Sequence, residues 1–283
     1  MGVLNVTPDS FSDGGRYLDA DAAVARARGL LEEGADILDV GGESTRPGAE
    51  PVSASEELAR VRPVLEGLAA DGAPARAQIS IDTCKAQVAR MALDAGATLV
   101  NDVSALRADA DMVGLVAARK ADCCLMHMLG EPRTMQAEPR YEDVVDDVKA
   151  FLEERLAFAV AEGVSEQRLL LDPGIGFGKT AEHNLELLSR LHELATLGRP
   201  LVVGTSRKSF LGRIVAASPG AREAATPEQR LPGTIATNVL ALERGASVFR
   251  VHDVAAVGAA LAVAAATLGG RWKSTVGTTT RTS

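Results

Sequence analysis

Ile37-Leu38-Asp39-Val40, then a helical pattern opened by Ser53-Ala54-Ser55-Glu56 and running to Leu68, then Gln78-Ile79-Ser80-Ile81, reads as strand, helix, strand. The two short runs are nearly continuous in apolar character, as expected of strands covered on both faces in a parallel sheet. Ser53 with Glu56 has the spacing of a capping box, which fixes where the helix between them begins.

The same alternation extends both ways. Upstream, Val3-Leu4-Asn5-Val6 precedes a helical segment over 21–33 carrying Ala22, Val24, Leu30 and Leu31. Downstream come Leu99-Val100, Cys124-Leu125-Met126, Leu169-Leu170-Leu171, Leu201-Val202-Val203 and Val248-Phe249-Arg250-Val251. Helical segments are expected over 86–94, 109–119, 141–162, 184–195, 235–243 and 254–267. Gly34, Gly96, Gly163, Gly198 and Gly245 fall where helix stops belong. About eight βα units without a linker predict an α/β fold, a single (β/α)8 TIM barrel over 1–268. A doubly wound open sheet is the alternative that the pattern leaves. The Thr- and Ser-rich stretch 269–283 is expected to be a disordered tail.

Composition narrows the function classes. The chain has 283 residues, 46% hydrophobic and 24% charged, which excludes a disordered polypeptide. Aromatics are 3% and the net charge is −8, so neither base stacking nor a basic surface for nucleic acid or anionic membrane is expected. Cys84, Cys123 and Cys124 have neither a disulfide count nor metal-finger spacing, and read as thiols in a reducing cytosol. Asp9 and Asp13 interrupt any signal-peptide core, and no apolar run spans a bilayer, so a soluble cytoplasmic protein is expected.

In such a barrel the C-terminal strand ends line the active site. Here they carry Asn5, Asp39, Asp82, Asn101-Asp102, His127, Asp172, Ser206-Arg207-Lys208, Arg250 and His252. Singly, each has a structural explanation: Asp82 before Thr83 suits a helix cap, and Asp172 before Pro173 suits a turn. Their recurrence on most strands favours a site. The Gly-rich stretch Gly174-Ile175-Gly176-Phe177-Gly178-Lys179-Thr180 fails both the P-loop and the dinucleotide spacing, because Pro173 and Lys179 stand where glycines are required.

The opening Met1-Gly2-Val3-Leu4-Asn5-Val6-Thr7-Pro8-Asp9-Ser10-Phe11-Ser12-Asp13-Gly14-Gly15 and the stretch Gly41-Gly42-Glu43-Ser44-Thr45-Arg46-Pro47-Gly48 resemble the two signatures of the dihydropteroate synthase family. Ile81-Asp82-Thr83, Asn101-Asp102, Leu125-Met126-His127-Met128, Asp172-Pro173-Gly174, Ser206-Arg207-Lys208-Ser209 and Arg250-Val251-His252-Asp253 follow in the family's order.

The resemblance implies a transferase of an alkyl group. It would join the pyrophosphate ester of 6-hydroxymethyl-7,8-dihydropterin to p-aminobenzoate on the folate route. It further implies Mg²⁺, a homodimer and inhibition by sulfonamides. Pterin contacts are implied for Asp82, Asn101, Met126, Asp172, Phe177 and Lys208, and pyrophosphate contacts for Asn5, Thr45, Arg46, Arg250 and His252. For p-aminobenzoate the implied contacts are Phe11, Pro47, Phe177, Lys208 and Ser209, and for Mg²⁺ they are Asn5 and Asp13. Asp82, Lys208 and Asp13 are implied in catalysis.

Residue chemistry agrees. A pterin edge offers donors and acceptors that Asp172 and Asn101 match, with Met126 and Phe177 over the ring faces. Departure of pyrophosphate leaves a cationic methylene that a buried carboxylate at Asp82 would stabilise. The Gly-, Pro-, Ser- and Thr-rich segments 7–15 and 42–49 are expected to be mobile loops, after strands 1 and 2, closing over the site. Nothing assigns His127 a proton to move, Glu43 and Arg207 are expected behind the site, and His183 and His192 are expected to face solvent. Family members usually carry a segment ahead of the first signature, so closure of the barrel floor is the part that the resemblance leaves open. Two other readings stay open. A corrinoid-linked pterin methyltransferase would not need the Thr45-Arg46 loop or the Lys208 cluster, and a non-catalytic pterin-binding paralogue should show losses in the two signatures.

Overall fold

The chain is described by a computed structural model over residues 1–7, 20–45, 48–131, 133–217 and 226–269. Phe11, Asp13, Arg46, Pro47 and the stretch 270–283 lie outside the described residues.

The described residues form eight strands: β1 (Gly2–Asn5), β2 (Ile37–Gly41), β3 (Gln78–Asp82), β4 (Leu99–Asp102), β5 (Asp122–Met126), β6 (Leu169–Asp172), β7 (Leu201–Val203) and β8 (Ala246–Phe249). The helices are α1 (Ala20–Glu32), α2 (Ala54–Ala70), α3 (Ala86–Asp94), α4 (Asp111–Arg119), α5 (Val144–Ala161), α6 (Ala181–Ser189), α7 (Leu191–Ala195), α8 (Ser209–Ala216), α9 (Leu231–Glu243) and α10 (Val254–Gly269). All neighbouring strands pair in parallel in the order β1 to β8. The sheet closes on itself where Gly2 bridges Val251, with Val3 N donating to Val251 O at 3.0 Å and Val251 N to Met1 O at 2.9 Å. The expected (β/α)8 barrel is the observed architecture, and the open sheet is excluded.

The helices bury one face each against the strands. Ala23, Val24, Ala27 and Leu30 of α1 and Val61, Val64, Leu65 and Leu68 of α2 join Leu38 and Val40 in one apolar core. A Cβ on Gly67 would stand 2.7 Å from Val24 Cγ2, so the glycine lets these two helices approach. Among the described residues no helix is long and apolar enough to cross a membrane.

Strands run further than their apolar runs. β3, β4 and β6 extend through Asp82, Asp102 and Asp172, carrying those carboxylates on the ladder itself. The segment expected over 184–195 is two helices broken at Arg190, whose guanidinium is held by Asp143, Glu186 and Glu193. α6 begins earlier than expected because Thr180 and His183 cap it reciprocally, so His183 is a capping residue rather than solvent-facing. α8 had no counterpart in the sequence pattern.

Candidate active site

Strand register sets the floor of the site. Asn5 pairs with Gly41, Gly41 with Asp82, and Asp82 with Asn101, which puts four consecutive strands level at their C-terminal ends. Gly41 leaves room there: its Cβ would stand 3.3 Å from Asp82 Cβ. Met126 pairs with Asp172 further round the rim.

The centre of this end is an ion-pair network. Arg250 donates from Nε to Asp39 at 2.6 Å and from Nη2 to Asp82 at 2.7 Å. Asp39 is fully buried, and accepts from Ser80 Oγ at 2.6 Å and Asn101 Nδ2 at 3.1 Å as well. A lone carboxylate in a doubly covered strand requires such partners. Burial raises Asp82 above the usual carboxylate range, Arg250 pulling the other way and Asp39 reinforcing the rise. Burial alone would lower Arg250, but Asp39 and Asp82 outweigh it and hold the guanidinium charged. Nη1 of Arg250 has no partner among the described residues, and the side chain keeps 23% of its exposure, so the cation still faces the mouth.

Beside it lies a second pair of groups. Asp172 is buried, and its Oδ1 accepts from Gly174 N at 2.7 Å, so it opens the turn as well as facing the site. Burial raises its carboxyl, against the pull of Lys208. Lys208 donates to Ile175 O and lies 4.7 Å over the Phe177 ring. Burial lowers its ammonium to about 8, with Asp172 opposing and Arg250 adding to the fall. Met126, Val103, Met128 and Met135 form a small apolar cluster at this end, against which Phe177 and Cys84 pack. Gly174 has φ of 66°, and a Cβ there would fall 1.8 Å from His127 O, so only glycine fits. Acids, a carboxamide, two cations and an apolar wall thus meet at one mouth, suited to a flat polar heterocycle joined to an anion.

The pterin binding enzyme profile matches residues 1–252. The chain belongs to that family. It is similar to the dihydropteroate synthase of Neisseria meningitidis serogroup C, 49% identical over 266 residues, covering 92% of this chain and 89% of the relative. It is 45% identical over 257 residues to that of Synechocystis sp., covering 91% and 86%. A structure of Xanthomonas albilineans dihydropteroate synthase with 4-aminobenzoic acid matches with TM-score 0.85 and 47% identity, covering 95% of this chain and 92% of that one. A Yersinia pestis dihydropteroate synthase with a sulfonamide drug matches with TM-score 0.87 and 43% identity, covering 95% and 94%. The expectation of a dihydropteroate synthase, a transferase, is borne out.

Within this pterin binding enzyme the expected residues divide into groups. Asp82, Asn101, Asp172, Met126, Phe177, Lys208 and Arg250 come together as described. Asn5 and Thr45 are half-buried near the rim, and Ser209 is exposed as the first residue of α8. His252 Nδ1 lies 3.0 Å from Ser206 Oγ, whose oxygen accepts His252 N as well. Arg207 is turned away, bound to Asp253 through both oxygens at 2.9 and 2.5 Å. Two charged residues escaped the sequence reading of the site. Asp39 was legible only as one more strand-end acid, although an acid inside an apolar run was the signal. Lys179 stood only as the residue that breaks the dinucleotide spacing, with no role assigned. It is instead 1% exposed, its Nζ 2.8 Å from His127 Nδ1 and 3.0 Å from Phe177 O. Burial drives Lys179 well below its ordinary value, Asp172 opposing. Burial and then Lys179 and Arg107 hold the His127 imidazole down at about 2, so it serves as a neutral acceptor.

Proposed function

We infer that the mouth of the barrel joins 6-hydroxymethyl-7,8-dihydropterin pyrophosphate to p-aminobenzoate, giving 7,8-dihydropteroate and pyrophosphate. The carrying observation is that Arg250 and Asp82 stand 2.7 Å apart at one rim. The C–O bond to pyrophosphate breaks, leaving a cationic methylene beside Asp82, and the departing anion gains Arg250. The C–N bond then forms from the amine of p-aminobenzoate, which gives up a proton. Asp172 and Asn101 read the pterin edge, Met126 and Phe177 cover its faces, and Lys208 reaches the ring beside Asp172. Thr45, Arg46, His252 and Asn5 complete the pyrophosphate pocket. Phe11, Pro47, Phe177, Lys208 and Ser209 hold p-aminobenzoate, whose place sulfonamides take.

Mg²⁺ is assigned to Asn5 and Asp13. Among the described residues no three His, Cys, Asp or Glu side chains cluster to hold an ion. Mg²⁺ does not ask for such a cage: it binds through one or two protein oxygens, waters and substrate phosphates, and the Asn5 carboxamide is a hard oxygen donor of that kind. When bound, it would neutralise charge on the leaving pyrophosphate. A homodimer is supported by exposed Leu240 on α9 and by Val263 and Leu268 on α10, an apolar helix of which only Val254 and Val257 are buried. A reducing cytoplasmic setting fits three free cysteines whose thiols burial raises.

Incubation with the dihydropterin pyrophosphate, p-aminobenzoate and Mg²⁺ should release pyrophosphate and form dihydropteroate together. Hydrolysis of the ester without the condensed product would overturn the reading.

A further inference from the structure

One buried acid lies outside everything assigned so far. Glu57, on α2, is fully buried, and its Oε1 has no hydrogen-bond partner among the described residues. Its other oxygen accepts from Lys85 Nζ at 2.6 Å, and the same ammonium donates to Glu43 Oε2 at 2.7 Å. Glu43 in turn accepts from Val52 N at 2.9 Å through Oε1, so one carboxylate ties the two ends of the segment that leaves β2. That segment is pressed against α2 at its root. A Cβ on Gly42 would stand 2.7 Å from Val61 Cγ1 and 3.0 Å from Glu57 Cγ, and Arg60 Nη1 holds Gly42 O at 2.7 Å.

Lys85 is three residues beyond Asp82. Its backbone N–H donates to Thr83 Oγ1 at 3.2 Å, and Thr83 N donates to Asn101 O at 3.2 Å. Polar contacts therefore run from Asn101 on the rim, through Thr83, the chain neighbour of Asp82, and Lys85, to Glu43, two residues before Thr45. Stability gives little reason for it, because burying an acid with an unpaired oxygen is costly and an apolar pair would fill the space as well. Fixed placement is what the path supplies.

We propose that Lys85 and Glu43 are positioning residues for the pyrophosphate ester, setting Thr45 at a fixed distance from Asp82. The proposal rests on the reaction inferred above. Two variants test it. Glu43→Gln keeps an acceptor for Val52 N but weakens the tie to Lys85. Lys85→Met with Glu57→Leu removes the tie while replacing the buried ion pair by apolar groups. Each should raise KM for the pyrophosphate ester about tenfold, the worth of one charge-assisted hydrogen bond. Affinity for the plain pterin alcohol, measured by calorimetry, should stay within about twofold. An unshifted KM, an equal loss for ester and alcohol, or failure of Glu43→Gln to fold would each overturn the proposal. Pyrophosphate release by the unsubstituted protein is measured first. Its absence would sink the reaction itself, whereas its presence with unshifted variants would sink only the positioning role.

Discussion

Two cations, one part-buried and one fully buried, stand at the same end of this barrel and are handled in opposite ways. Arg250 is met by two carboxylates, Asp39 and Asp82, and stays charged. Among the described residues Lys179 is hydrogen-bonded only by an imidazole nitrogen and carbonyl oxygens, and burial lowers it despite the charge of Asp172. The difference follows from the side chains. A guanidinium cannot shed its proton, so it must have counter-charge, while an ammonium can lose one and remain as a hydrogen-bonded amine. A permanent charge is therefore kept where the proposed reaction would receive an anion, and a dispensable one beside the glycine loop.

Removing the guanidinium is the sharpest way to break the contrast. Arg250→Met leaves Asp39 and Asp82 buried and unpaired, and should cost about 3–5 kcal/mol in urea unfolding at neutral pH. The sign with pH is fixed. Without Arg250 the folded Asp82 carboxyl loses the group that lowers it and titrates higher still, so the deficit should shrink as pH falls through that raised value. A deficit that is constant with pH would mean that Arg250 does not hold Asp82 in its charged form.

Lys179→Met should cost less, about 1 kcal/mol, for orphaned hydrogen-bond acceptors and no orphaned charge. Unfolding losses equal to those of Arg250→Met would show that Lys179 carries a full charge after all.

Lys208 is the intermediate case, half-buried with Asp172 near and its ammonium lowered to about 8. Its proton is lost as pH rises through that value, so affinity for the pterin alcohol should fall a few-fold between pH 7 and 9. Lys208→Arg keeps the charge and should flatten the titration, read by calorimetry across that range. A flat wild-type profile would remove Lys208 from pterin binding.

Much of this was legible from residues alone. Apolar runs such as Ile79 to Ile81 announce strands because a doubly covered strand tolerates little else, and Gly34, Gly96, Gly163, Gly198 and Gly245 mark turns with φ between 71° and 102°. What escaped depended on distant partners. Nothing local tells Asp39 from Asp82, because their roles are set by one guanidinium, which lies 211 residues from Asp39. The start of α6 was hidden because histidine replaces the usual acid in its capping box. Lys179 was given no role because the partner that meets its ammonium, His127, stands 52 residues away beyond the end of another strand.

The seam of the barrel has a consequence for how the chain is made. Met1 N donates to Phe249 O, a partner 248 residues later in the sequence, and Gly2 bridges Val251. At synthesis rates of ~5–20 residues per second, the first strand waits roughly 10–50 s for its neighbour to exist. Through that interval one edge of β1 offers unpaired backbone donors and acceptors to any passing strand. The nascent barrel is therefore most open to aggregation along β1, and the segment after β8 completes its protection.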